Sequence, residues 1–242
     1  MVRITLARPP LNVLDTRTLL LLAEAIEAAE GVPENRLIVL RGEGRAFSAG
    51  VDVGEHLGDL LAPMLGAFER AALAMVRSEL PTLVVAHGAA LGGGCELVAL
   101  ADLSIAAEDA RLGCPEIGLG CVPPVAIAAF PRLVGAQRAA ELVLTGAVLS
   151  GAEAARIGLV TKALPADRLD AAVEETVARF SSLSASAIRL ARRTARAVDG
   201  GALERAIREA TALSVRGLPA MRDATEGLRA FLEKRAPVFT HR

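Results

Sequence analysis

The sequence predicts an α/β fold with a helical C-terminal region. Two observations carry this expectation: short apolar, β-branched runs alternate with amphipathic helical stretches through the first two thirds of the chain, and beyond about residue 136 the strand signals thin to one. A boundary is expected near residue 180, giving an α/β core over 1–180 and helices over 181–242. At 242 residues the chain is long enough to bury most of the surface its unfolded form exposes.

The first strand, residues 2–6, alternates polar and apolar side chains and ends at Arg8-Pro9-Pro10. An amphipathic helix is expected over 16–30, stopped by Gly31 and Pro33. Leu37-Ile38-Val39-Leu40 reads as a fully buried strand, and the polar turn 41–45 follows it. Residues 46–54 are too short and too rich in small side chains for a helix, so backbone there faces whatever is bound; alone, an ordinary loop explains them better. A helix over 62–78 ends before Pro81, and Thr82-Leu83-Val84-Val85-Ala86 forms the central strand.

That strand runs through small residues into Gly92-Gly93-Gly94 and a helix carrying Glu96. The glycines therefore sit where a helix begins, with N–H groups that lack intrahelical partners and a positive dipole end. Such backbone holds an anion or a developing oxyanion, although Glu96 alone reads equally well as a first-turn acid that favours the dipole. Neither GxGxxG nor GxxxxGK[ST] is present, which disfavours a nucleotide site. A strand over 102–107 repeats the pattern. Glu116, between Pro115 and Ile117, is a carboxyl in apolar surroundings, suited to a raised pKa and proton transfer; by itself it reads more simply as a loop acid capping an amide. Helices follow at 122–133, 137–144, 152–157, 169–180, 185–198, 203–215 and 219–234, with one strand signal at 159–162.

Composition narrows the function classes. The chain is 52% hydrophobic but 2% aromatic, with no Trp or Tyr, so a core of Ala, Leu, Val and Ile is expected. The net charge of −1 and the scarcity of aromatic rings disfavour nucleic-acid binding. Cys95, Cys114 and Cys121 form no CxxC pair and His56, His87 and His241 are scattered, so neither disulfides nor a metal site is expected. Met1 leads straight into a strand and no apolar run reaches about 18 residues, so a soluble cytoplasmic protein is expected.

Taken together, five segments resemble the crotonase superfamily of enoyl-CoA hydratases and isomerases. They are Arg8-Pro9-Pro10-Leu11-Asn12-Val13-Leu14, Ala46-Phe47-Ser48-Ala49-Gly50-Val51-Asp52-Val53, Gly88 through Leu97, Pro115-Glu116-Ile117-Gly118-Leu119-Gly120, and Thr145-Gly146 through Val160; Glu226 through Phe239 closes the match. The resemblance implies a spiral of β-β-α turns, with C-terminal helices that build a homotrimer or a dimer of trimers. It implies an oxyanion hole for a CoA thioester from the N–H groups of Val51 and Gly93, and a water held by Glu96 and Glu116. Each such N–H is worth about 2.7–4 kcal/mol in comparable sites. Glu96, at its helix N-terminus, is expected to be the ionised partner and Glu116 the proton donor. CoA contacts are implied for Arg8, Ala49, Val51, Asp52, Val53, Gly92, Gly93 and Lys234, and an acyl pocket for Pro123, Pro124 and Phe231, with Phe239 as a further candidate. A solvated lysine and terminal-helix packing are the simpler readings of Lys234 and the phenylalanines. No separate cofactor is implied, because coenzyme A is part of the substrate.

Residues 121–131 depart from ordinary short-chain hydratases, where this stretch is glycine-rich. In length and proline placement they are more similar to the cyclic dienoyl-CoA hydratases, which act on cyclohexa-1,5-diene-1-carbonyl-CoA. The expected reaction is addition of water to an enoyl-CoA. An isomerase or another CoA-thioester enzyme of the same fold is the alternative, and a non-catalytic crotonase-fold binding protein the remote one.

Overall fold

A computed structural model describes residues 1–241. Its larger sheet contains β1 (Val2–Leu6), β2 (Ile38–Gly42), β3 (Thr82–Ala86), β5 (Leu103–Ala107) and β8 (Lys162–Leu164), paired in parallel in that order. A smaller sheet pairs β4 (Ala89–Leu91) with β6 (Arg111–Gly113) in parallel and β6 with β7 (Val148–Ser150) antiparallel. The helices are α1 (Thr16–Glu30), α2 (Leu61–Arg77), α3 (Gly93–Leu100), α4 (Pro124–Val134), α5 (Ala136–Thr145), α6 (Gly151–Ile157), α7 (Leu169–Ser181), α8 (Ala185–Asp199), α9 (Ala202–Gly217) and α10 (Arg222–Leu232).

The order β3-β4-α3 followed by β5-β6-α4 is the expected spiral of β-β-α turns. Main-chain pairing stacks the turns: Ser48 bridges Ala90, Ala90 pairs with Leu112, and Leu112 with Leu149. Residues that pack the sheet are aliphatic as expected, but Phe47, Phe68 and Phe130 are also fully buried, so three of the six phenylalanines serve the core.

The differences from the sequence expectations have physical causes. Leu159 and Val160 are not a strand. Gly158, in the left-handed region at φ 83°, caps α6, and the N–H groups of Leu159 and Val160 return to Ala154 O, so these two side chains pack as a helix terminus. The strand begins at Lys162, after Thr161 and Ser104 have exchanged side-chain-to-amide bonds of 3.0 Å. The last helix starts at Arg222, because Leu218–Ala220 forms a separate 3-10 turn with Pro219 inside it. Helix α4 starts at Pro124, since Pro123 keeps an extended backbone. Helix α9 packs against α2 and α4.

Candidate active site

The site is assembled from the starts of three helical segments and one loop. At the loop, Leu14 N–H donates to Gly50 O at 2.9 Å and Asp52 N–H donates to Leu14 O at 3.0 Å. Since Gly50 O and Asp52 N–H both face Leu14, the intervening Val51 N–H points the other way. Ser48 Oγ, anchored on Asn12 O at 2.7 Å, accepts from Gly50 N–H at 3.1 Å and fixes this turn. Gly93 lies against Val51: a Cβ there would fall 2.6 Å from Val51 Cγ2. As the first residue of α3, Gly93 has an N–H with no intrahelical acceptor.

Gly92 has φ 50°, and a Cβ on it would lie 2.6 Å from Glu116 Oε1. The Glu116 carboxyl therefore rests directly on the backbone that opens α3, a closeness only glycine permits. Glu116 Oε2 is buried and has no hydrogen-bond partner among the described residues. Glu96, 2% exposed, accepts from Ala126 N–H at 2.8 Å. Pro124 occupies the first position of α4 and has no N–H to offer, so the donors that hold Glu96 come from the next residues.

Burial raises both acids. Glu96, with the Glu116 charge added to its desolvation, is pushed up to about 8, and Glu116 is pushed up to about 7. The two interact and titrate as a pair, so near neutrality the pair carries one proton. The helix N-terminus of Glu96 favours its ionised form, but removal from water outweighs that and raises its pKa.

Both carboxyls open onto one cavity of about 250 Å³, together with Ala49, Val51, Val53, Gly92, Pro123, Pro124 and Phe231. Gly93, against Val51, is outside the lining. Asp52 is also outside it: its Oδ1 accepts from Gly54 N–H at 2.9 Å. Arg8 is engaged elsewhere, 3.2 Å from Asp15 Oδ2 and donating to Val13 O at 3.1 Å. Lys234 is exposed and Phe239 half-buried, both beyond the end of α10.

A buried carboxyl pair beside glycine-opened backbone on a β-β-α spiral is what the resemblance implied, and a model described as enoyl-CoA hydratase/isomerase matches residues 1–242. The chain belongs to the enoyl-CoA hydratase/isomerase family. This family member is 37% identical over 242 residues to the cyclohexa-1,5-dienecarbonyl-CoA hydratase of Thauera aromatica, covering 100% of this chain and 93% of that one. It is 35% identical over 235 residues to the crotonyl-CoA hydratase of Syntrophomonas wolfei, covering 95% and 90%. Among solved structures, an enoyl-CoA hydratase from Mycobacterium avium subsp. paratuberculosis K-10 matches with a TM-score of 0.88 at 29% identity, covering 99% and 95%.

Sequence reasoning missed several groups that line the cavity of this enoyl-CoA hydratase/isomerase family member. Met64, Leu65 and Phe68 come from α2, Leu218 from the turn after α9, and Leu228 from α10. His56 and Cys121 also line it, and burial pushes the Cys121 thiol up to about 12, leaving it protonated and unreactive. Their separation along the chain left no local signal beyond apolar periodicity.

Proposed function

We propose that the chain adds water across the α,β-double bond of an enoyl-CoA, with Val51 and Gly93 N–H groups receiving the thioester oxygen and Glu96 with Glu116 handling the proton. The observation that carries this reading is the carboxyl pair itself: two interacting acids on one cavity, sharing a proton near neutrality, one with an oxygen that lacks a protein partner. A water bridging them loses a proton to the ionised acid as its oxygen bonds to Cβ. The protonated acid then delivers H⁺ to Cα on the same face, so addition is syn and the pair ends with one proton, as it began. In this reading charge developing on the thioester oxygen is met by the Val51 and Gly93 N–H groups, and donors preset on the backbone would need no reorganisation during the step.

The finer reading is that the acyl group is a cyclic dienoyl. Its support is the likeness to the Thauera aromatica hydratase and the rigid Pro123-Pro124 wall. The test is a panel of crotonyl-CoA and cyclohexa-1,5-diene-1-carbonyl-CoA, followed by loss of the conjugated-thioester absorbance and a mass gain of one water. Products without added water would instead favour an isomerase.

The proposal extends to assembly: residues 1–180 form the α/β core that carries both acids, and 181–242 an oligomerisation region that builds a trimer or a dimer of trimers. Its support is α8, where Leu190 is 54% exposed and Val198 83% exposed on a helix that buries no residue. Sedimentation of wild type and Leu190→Glu tests it, with loss of the oligomer expected in the variant.

A further inference from the structure

His56 is a polar group of the cavity that the hydration chemistry does not use. It ends the 3-10 turn Val53–His56 that follows the Val51 loop. Its Nδ1 lies 2.9 Å from Asp52 O, and a carbonyl oxygen only accepts, so Nδ1 carries the proton. Burial holds the His56 pKa below the ordinary histidine value, which keeps the ring neutral. A neutral ring protonated on Nδ1 presents Nε2 as a lone-pair acceptor.

The surroundings leave that acceptor available. Among the described residues, no hydrogen bond takes up Nε2, and it is not among the buried side-chain polar atoms that lack a hydrogen bond, so Nε2 is reached by solvent. The two acids beside the ring are occupied. Asp52 caps Gly54 N–H and stands 3.9 Å from Arg8, and Glu55 Oε2 accepts from Thr16 N–H at 2.8 Å and Thr16 Oγ1 at 2.7 Å. Most of the remaining lining is apolar: Met64, Leu65, Phe68, Leu228 and Phe231. Against such a wall, an acceptor besides the two carboxyls is a recognition element, because a buried donor without a partner is strongly disfavoured.

We propose that His56 is a specificity-determining residue whose Nε2 accepts a hydrogen bond from the acyl group, so that the preferred substrate is an acyl-CoA bearing a hydroxyl on that group. The proposal rests on the enoyl-CoA reading of the same cavity and not on its cyclic dienoyl refinement, whose unsubstituted ring has no hydroxyl for Nε2 to meet.

The test compares isosteric pairs in which hydroxyl replaces methyl: 4-hydroxybut-2-enoyl-CoA against pent-2-enoyl-CoA, and 5-hydroxypent-2-enoyl-CoA against hex-2-enoyl-CoA. The wild type is expected to favour the hydroxylated member of one pair by about tenfold or more in kcat/KM. His56→Leu is expected to reduce that ratio to about one, and His56→Gln, whose amide oxygen reaches as far as Nε2, to restore part of it. Restoration by Gln separates a lost acceptor from lost packing. No preference in the wild type for either pair, or a ratio unchanged in His56→Leu, overturns the proposal. Equilibrium binding of the saturated analogues, 4-hydroxybutanoyl-CoA with pentanoyl-CoA and 5-hydroxypentanoyl-CoA with hexanoyl-CoA, separates the two readings. A binding preference that depends on His56 without any hydration removes the hydratase assignment alone; hydration with a flat ratio removes the role of His56 alone.

Discussion

Helix α3 buries all eight of its residues, whereas α8, fifteen residues long, buries none. The first holds Glu96 inside the protein; the second is attached through arginines, with Arg189 donating to Val32 O at 2.9 Å and Arg192 to Met75 O at 2.8 Å. The same side chain behaves oppositely in the two regions. Glu96, removed from water, is raised to about 8, while Glu204 of α9, paired with Arg77 and Arg208, is held below the usual carboxylate range. The inner region thus stores proton-transfer capacity at a cost in stability, and the outer region gathers exposed ion pairs of small individual worth.

Removing an acid from the inner pair should have the largest effect. Glu116→Gln is expected to lower kcat by about 10²-fold or more with CoA-thioester binding kept within a few-fold, by steady-state kinetics and calorimetry. Next is pH. Turnover needs the pair singly protonated, so kcat/KM should peak between about 7 and 8 and fall about tenfold per unit well outside that window. Third is stability. A folded pKa near 8 against an ordinary 4.5 means that the folded state binds the Glu96 proton more tightly, so stability is lost as pH rises from about 4.5 to 8. Glu96→Gln should therefore be stabilised by about 2–4 kcal/mol relative to wild type at pH 8, with the difference vanishing below about pH 4.5, by urea denaturation. The smallest effect belongs to the outer region. Arg208→Ala, which loses contacts of 3.2 Å to Glu69 and 3.3 Å to Glu204, should cost under about 1 kcal/mol, and less as salt is added.

Local chemistry made part of the site legible. The glycines at 92–94, the small residues around Val51 and the acids at 96 and 116 stand out from their own neighbours, but each alone fits an ordinary loop or capping role, and the resemblance joined them into one site. Strands β4, β6 and β7, three residues each, are too short for any periodicity to register, so the smaller sheet was not foreseen. His56 was one of three scattered histidines until the fold turned it toward the cavity. How far burial raises each acid was hidden for the same reason. A helix N-terminus is visible in sequence, but the depth at which Glu96 is buried depends on what α4 lays over it.

The ladder from Ser48 through Ala90 and Leu112 to Leu149 has a consequence for how such a site changes over generations. Its pitch, about 4.8 Å per rung, is set by peptide groups common to every amino acid. Substitutions among the side chains that line the cavity can therefore reshape it while the distance between the coils stays fixed. Tolerance for new substrates and fidelity of the reacting geometry are written into different atoms of the same chain.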